Sequence, residues 1–117
     1  MVADGSQNSF RRGVMSLVIL GLLQNEDMYG YQLVQEAERR SGGRIVTQEG
    51  SLYPVLHKLE NDGLVTAYRQ KAESGRERKY YHITPAGLEA LAEETEQWNA
   101  FSGAVNKVIL GSKLSAV

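Results

Sequence analysis

Five cations crowd one short stretch of this 117-residue chain: Arg69, Lys71, Arg76, Arg78 and Lys79. Across residues 67–82 they face two acids, Glu73 and Glu77, so the stretch carries +3 in a chain whose formal net charge is −1. Residues 84–98 hold the opposite balance, with Glu89, Glu93, Glu94 and Glu96 and no lysine or arginine. A local basic stripe is what phosphate contact requires, because the field of a charge decays over about 8 Å at physiological salt. Near-neutrality of the whole chain therefore leaves nucleic acid open as a partner. Arg76, Arg78 and Lys79 flank the turn glycine Gly75, where cations can approach a phosphate backbone or a minor groove without being buried. A solvated loop is the plainer alternative, and Glu77 among them weakens the field.

Other chemistries find little support. There is no cysteine, which excludes a disulfide framework, a thiolate zinc site and thiol catalysis, and makes a cytoplasmic setting the default. The two histidines, His57 and His82, fall in different elements without a carboxylate set around them, so neither a metal nor a cofactor is expected. No positioned nucleophile or phosphate loop appears, and the chain does not read as an enzyme.

The second polar constellation is Ser51, Tyr53, His57 and Lys58. Helical periodicity puts Leu52, Val55, Leu56 and Leu59 on an inner face and leaves Ser51, Pro54, His57, Lys58 and Asn61 outward. Hydroxyl and ammonium groups on such a face suit phosphate and base edges. Tyr53 sits at the margin, where an aromatic either packs or reaches outward. A proline deep in a helix costs about 3 kcal/mol but little in the first turn, so Pro54 predicts a helix start near Gly50 or Ser51.

Several elements must position these groups. Residues 1–8 are small, polar and aperiodic, which predicts a disordered N-terminal tail. A first helix from about Ser9 to Leu23 has apolar residues on nearly every side; its apolar run from Val14 to Leu23 is about half of the ~20 residues a membrane span needs, so no membrane association is expected. A second helix runs from Tyr29 or Gly30 to Ser41 and stops at Gly42-Gly43. Arg44-Ile45-Val46 has room for a small strand. Runs from Leu64 to Arg69 and from Arg78 to Ile83, with Ser74-Gly75 between them, predict a β-hairpin. Thr84-Pro85 opens a long last helix, with Thr84 as N-cap. The predicted class is mainly α with a small β-hairpin, in the order of a winged helix-turn-helix followed by a long C-terminal helix.

At its motifs the chain resembles the PadR-like family of winged-helix regulators. These are Gly13-Val14 through Leu23, Tyr29-Gly30-Tyr31-Gln32-Leu33, the run from Gly50 to Glu60, Gly63-Leu64-Val65, the run from Gly75 to Tyr81, and Thr84-Pro85-Ala86-Gly87. The resemblance spans about Arg12 to Ile109 and suggests a short family member. It implies double-stranded DNA as partner, a homodimer joined through the C-terminal helix, and repression relieved by a small molecule. The domain reading is then 1–8 tail, 9–83 DNA-binding winged helix and 84–117 dimerisation helix with a short tail.

Positions 88, 91, 95, 98, 102, 105 and 109 form a heptad-like seam that suggests a partner helix. Trp98 lies mid-seam and is the candidate contact for a small aromatic effector; filling a dimer core together with Phe101 is the alternative. The leading functional reading is a repressor binding a pseudo-palindromic operator as a dimer. A winged-helix protein-interaction module without DNA binding is the alternative, motivated by the net charge and by Glu49 and Glu77.

Overall fold

The computed structural model describes the backbone of residues 2–115 and the side chains of residues 13–111. Four helices and one three-stranded antiparallel sheet follow in the order α1 (Val2–Leu23), β1 (Met28–Tyr29), α2 (Gly30–Arg40), α3 (Glu49–Asn61), β2 (Val65–Lys71), β3 (Glu77–Ile83) and α4 (Pro85–Ser115). This is the expected winged-helix architecture. The helix α1 packs against α2, α3, α4 and β3, as apolar residues on every side require. Ile19, Leu20, Leu23, Met28, Leu33, Leu52, Leu56 and Val65 are fully buried and hold the three-helix unit to the sheet. Each such side chain contributes about 1.5–3 kcal/mol by leaving water.

Glycine ends two helices in the same way. Gly42 and Gly63 take left-handed φ of 68° and 77°. The next amides turn back, Gly43 N–H to the Glu38 carbonyl at 2.8 Å and Leu64 N–H to the Leu59 carbonyl at 2.9 Å, so both ends satisfy carbonyls that would otherwise lack partners. The second of these stops sends the chain directly from α3 into β2.

Four expectations about local structure need correction. The helix α1 begins at Val2, so it runs through the segment expected as a tail; Met1 lies outside the described residues. No proline interrupts 2–8, and once a helix is nucleated each further residue adds a hydrogen bond. Residues 44–48 form no strand; the third strand is Met28–Tyr29, which pairs with Tyr81 and Tyr80 on β3. Pro54 is the sixth residue of α3, because the helix starts at Glu49, one or two residues before the expected start. Both Pro54 and Gly50, whose carbonyl loses its intrahelical donor, are exposed, so water can serve that carbonyl. The hairpin strands are also longer than their apolar cores, with Lys71 opposite Glu77 and the Ala72 N–H on the Arg76 carbonyl at 2.8 Å closing a loop of Glu73, Ser74 and Gly75. Gly75 takes φ of 86°, as the αL position of such a loop requires.

The junction into α4 is tight. Thr84 caps the helix by accepting the Gly87 N–H on its hydroxyl at 3.0 Å, and the same hydroxyl donates to the Gly63 carbonyl at 2.7 Å. The Thr84 N–H donates to the Leu64 carbonyl at 3.0 Å. A Cβ at Gly87 would run into that Leu64 carbonyl oxygen, so only glycine fits. Beyond this junction α4 packs against α1 with Leu91 buried, and farther out its side chains Val108 and Ile109 are exposed. The chain measures 60 × 33 × 26 Å with a radius of gyration of 16.7 Å, against about 13 Å for a compact chain of this length. At Gly111 the backbone departs from helical geometry (φ 32°, ψ −112°).

Candidate nucleic-acid interface

The inner face of α3 is the one the spacing indicates: Leu52, Val55, Leu56 and Leu59 are buried. Ser51, Tyr53, His57 and Lys58 are all exposed. Tyr53 is 49% exposed and does not join the core. Its hydroxyl donates to Glu49 Oε2 at 3.1 Å, one turn back, and this hydrogen bond, with burial and the Glu49 charge, pushes the phenol up from its ordinary range. Both groups lie over Gly30 at the start of α2, where a Cβ would stand 3.4 Å from the Glu49 carboxylate. Lys58 pairs with Asp62 at 3.0 Å in an exposed i,i+4 bridge worth at most about 1 kcal/mol, which a phosphate can displace.

Strand alternation splits the hairpin cations between two faces. Residues Lys79, Tyr81 and Ile83 of β3 share one face with Val65, Ala67 and Arg69 of β2, and Tyr81 and Ile83 bury it against the helices. Burial, followed by the neighbouring Tyr53 and Glu60 of α3, pushes the Tyr81 phenol up, which puts this face against α3. Lys79 Nζ lies 5.6 Å from the Tyr81 ring centroid, so the lysine extends the α3 side of the sheet outward. Arg69 stands directly opposite Lys79 in the register. Two like charges in that relation destabilise a sheet. Glu77 relieves part of the repulsion through a 3.7 Å contact with Arg69. Arg76 is exposed at the turn. Among the described residues, neither Arg76 nor Lys79 is paired with a carboxylate.

Arg78 lies on the other face. Its guanidinium sits 4.3 Å above the Tyr29 ring, and its Nε is buried without a hydrogen-bond partner. Tyr29, Tyr80 and Tyr68 make a row across the three strands, with ring centroids 5.4 Å and 5.7 Å apart. Asp27, in the connection from α1 to β1, completes this face by accepting from the Tyr68 hydroxyl at 2.5 Å and meeting His82 Nδ1 at 2.8 Å. Burial pushes the Asp27 carboxyl up, but the hydrogen bonds from Tyr68 and His82 and the His82 charge outweigh it and hold the group below its ordinary range. The same bond, with burial, pushes the Tyr68 phenol up to about 12. Sequence reasoning passed over Asp27 and the tyrosine row. Period-two alternation along 77–83 carries the signal, since it places Arg78, Tyr80 and His82 together and Lys79, Tyr81 and Ile83 together.

Trp98 lies on α4 and is 40% exposed. It lines an open cavity of about 280 Å³ between α1 and α4. Of the heptad-like seam, Leu91 is buried in the body, whereas Val105 and Ile109 are 37% and 71% exposed. Among the described residues no group of His, Asp and Glu could hold a metal ion, and no helix is long and apolar enough to cross a membrane.

Known proteins share this arrangement. Residues 19–93 match the Transcriptional regulator PadR-like family. A transcriptional regulator of Mycobacterium tuberculosis is 41% identical over 85 residues, covering 73% of this chain and 76% of that protein. The negative transcriptional regulator PadR of Bacillus subtilis is 28% identical over 78 residues, 67% of this chain and 43% of its own length. Among solved structures, a PadR-like transcriptional regulator from Bacillus cereus superposes with a TM-score of 0.73 at 34% identity, covering 85% of this chain and 94% of that one. A matching family across the winged helix, a relative of this identity and a shared fold leave one conclusion: the chain belongs to the PadR-like family of transcriptional regulators.

Proposed function

We propose that this regulator is a repressor that binds a pseudo-palindromic operator as a homodimer, with two copies of α3 in successive major grooves and two hairpins on the flanking backbone. The observation that carries the reading is the Arg69–Lys79 pair, two cations held opposite one another on the side of the sheet that meets α3. A phosphate relieves that repulsion. Ser51, Tyr53, His57 and Lys58 then serve as the α3 contacts, and Arg76 and Lys79 as the hairpin contacts; Arg78 contributes by fixing the sheet through Tyr29. A major groove about 12 Å wide admits one such helix. Glu77, one of the two acids that speak for a protein-interaction module, is partly offset by Arg69, which supports the DNA reading over that alternative.

In this reading residues 9–83 bind DNA in the cytoplasm and residues 84–117 join the two copies. The exposed apolar side chains of α4, Phe101, Val105, Val108 and Ile109 among them, support the second role. Repression has its support in the negative regulator among the relatives. A small aromatic effector bound at Trp98 would release the operator by selecting a different angle between subunits. Gel shifts with the DNA flanking the gene test the whole: binding is expected to be salt-sensitive and confined to one palindromic segment. Equal affinity for every fragment, or none at low salt, refutes operator binding.

A further inference from the structure

The starts of α2 and α3 meet at an acid. Glu49 is the first residue of α3, and Gly30, the first of α2, lies beneath its side chain: a Cβ there would stand 3.4 Å from Glu49 Oε2 and 3.5 Å from the Tyr53 hydroxyl oxygen. Tyr53 donates to that same Oε2 at 3.1 Å, which leaves Oε1 as an acceptor without a partner among the described residues. The half-buried carboxylate is thus braced between a backbone and a phenol, and Tyr53 and His57 follow it at one-turn intervals along the outward side of α3. Two helix N-termini would otherwise attract a phosphate; with a carboxylate in that place a phosphate is repelled. What can approach is a hydrogen-bond donor.

A duplex offers few donors. In the major groove guanine presents the acceptors N7 and O6 and thymine presents O4 and a methyl group, so only adenine N6 and cytosine N4 donate. The adenine amine stands between two acceptors, its own N7 and the thymine O4, which repel a carboxylate. Cytosine N4 has such a neighbour, guanine O6, on one side only. We propose that Glu49 reads a cytosine in each half-site by accepting from its N4 amine on Oε1, and that Tyr53 is the residue that positions the carboxylate. The first residues of a recognition helix are the ones that reach base edges. The inference rests on α3 entering the major groove and adds a base and the side chain that selects it. It also gives the acid a use: a charge that weakens binding to duplex in general discriminates against the wrong bases.

The full chain is used to select from a pool of random duplexes long enough for two half-sites about one helical turn apart, and Glu49→Gln and Tyr53→Phe go through the same selection. Wild type is expected to enrich half-sites with a preferred cytosine at one position. Glu49→Gln is expected to enrich adenine there and to leave the other positions unchanged, because a glutamine amide pairs with adenine N6 and N7. Its affinity for the wild-type duplex is expected to fall about tenfold while its affinity for an unrelated duplex does not fall, which also shows that the variant folds. In Tyr53→Phe, replacing that cytosine is expected to cost about threefold in affinity instead of about tenfold. An undiminished preference in Tyr53→Phe overturns the positioning role of Tyr53. If Glu49 is only a repulsive charge, Glu49→Gln binds every duplex more tightly by one factor and selects the wild-type sequence; that result overturns the proposal and leaves operator binding intact. A wild-type half-site without a preferred cytosine does the same. Enrichment of no sequence by wild type overturns operator binding itself.

Discussion

Arg78 and Lys79 are neighbours in sequence on opposite faces of β3. Lys79 is free toward the α3 side, so replacing Lys79 and Arg76 together by alanine is expected to lower affinity for every DNA sequence alike. Fluorescence anisotropy across a salt series should show the slope of log K against log salt shallower by about 2, one unit for each lost phosphate contact. Arg78→Ala is expected to act on folding: loss of the contact over Tyr29 costs about 1 kcal/mol and lowers Tm by about 4 °C, with the salt slope unchanged. All three residues look alike as a composition of charge; the parity of their positions in β3 separates Arg78 from Lys79, and Arg76 stands before the strand, at the turn. Asp27 gave no such hint, because its partners Tyr68 and His82 are 41 and 55 residues away in the chain. Its carboxyl is depressed in the fold, so its contribution to stability is present above its unfolded pKa of about 4 and is lost as pH falls through the lower folded value. Asp27→Asn is therefore expected to cost about 1 kcal/mol at pH 7, with the gap to wild type closing below about pH 4 in urea titrations.

At the level of elements, what could be read from the sequence is what is encoded locally. The ends of α2 and α3 follow from Gly42 and Gly63, the hairpin from two β-rich runs around Gly75, and the start of α4 from Thr84-Pro85. What escaped is what tertiary contact creates. Met28–Tyr29 is two residues long and becomes a strand only because β3 lies beside it. Pro54 argued for a start near Gly50 or Ser51, and α3 starts one or two residues earlier, at Glu49, where an exposed Gly50 carbonyl lowers the cost that argument assumed. Gly87 belongs to the same tertiary class, and its requirement is strict. Gly87→Ala is expected to destabilise the fold by about 2 kcal/mol or more, since the methyl group meets backbone that cannot give way; chemical denaturation measures it. An unchanged midpoint would mean that α4 can lift from the Leu64 carbonyl.

The whole molecule is elongated, and Val105, Val108 and Ile109 on the outer part of α4 are exposed. Val105→Glu combined with Ile109→Glu places charge on its exposed apolar side. Analytical ultracentrifugation is expected to show monomers, and operator affinity to fall by two orders of magnitude or more, because joined half-sites no longer act together. Residual helicity by circular dichroism would confirm that the winged helix still folds. The seam pointed to a partner helix, yet Leu91 serves the core of its own subunit; a periodicity that meets two surfaces in turn cannot be divided between them without coordinates.

The Thr84–Gly87 junction bears on how such a dimer measures DNA. α4 starts against the carbonyl of Leu64, the residue after the α3 stop, with no flexible linker between them. Each subunit is then one stiff caliper arm, with α4 as its shank and α3 as its tip. From Pro85 to Leu110 the shank is about 39 Å long at 1.5 Å per residue, so a 5° swing at its far end carries the tip through about 3 Å. Two arms double that, a tenth or more of the ~34 Å between successive major grooves. In the proposed dimer, a change of a few degrees in the angle at which the two α4 helices meet would therefore be enough to take the α3 tips out of register with the operator.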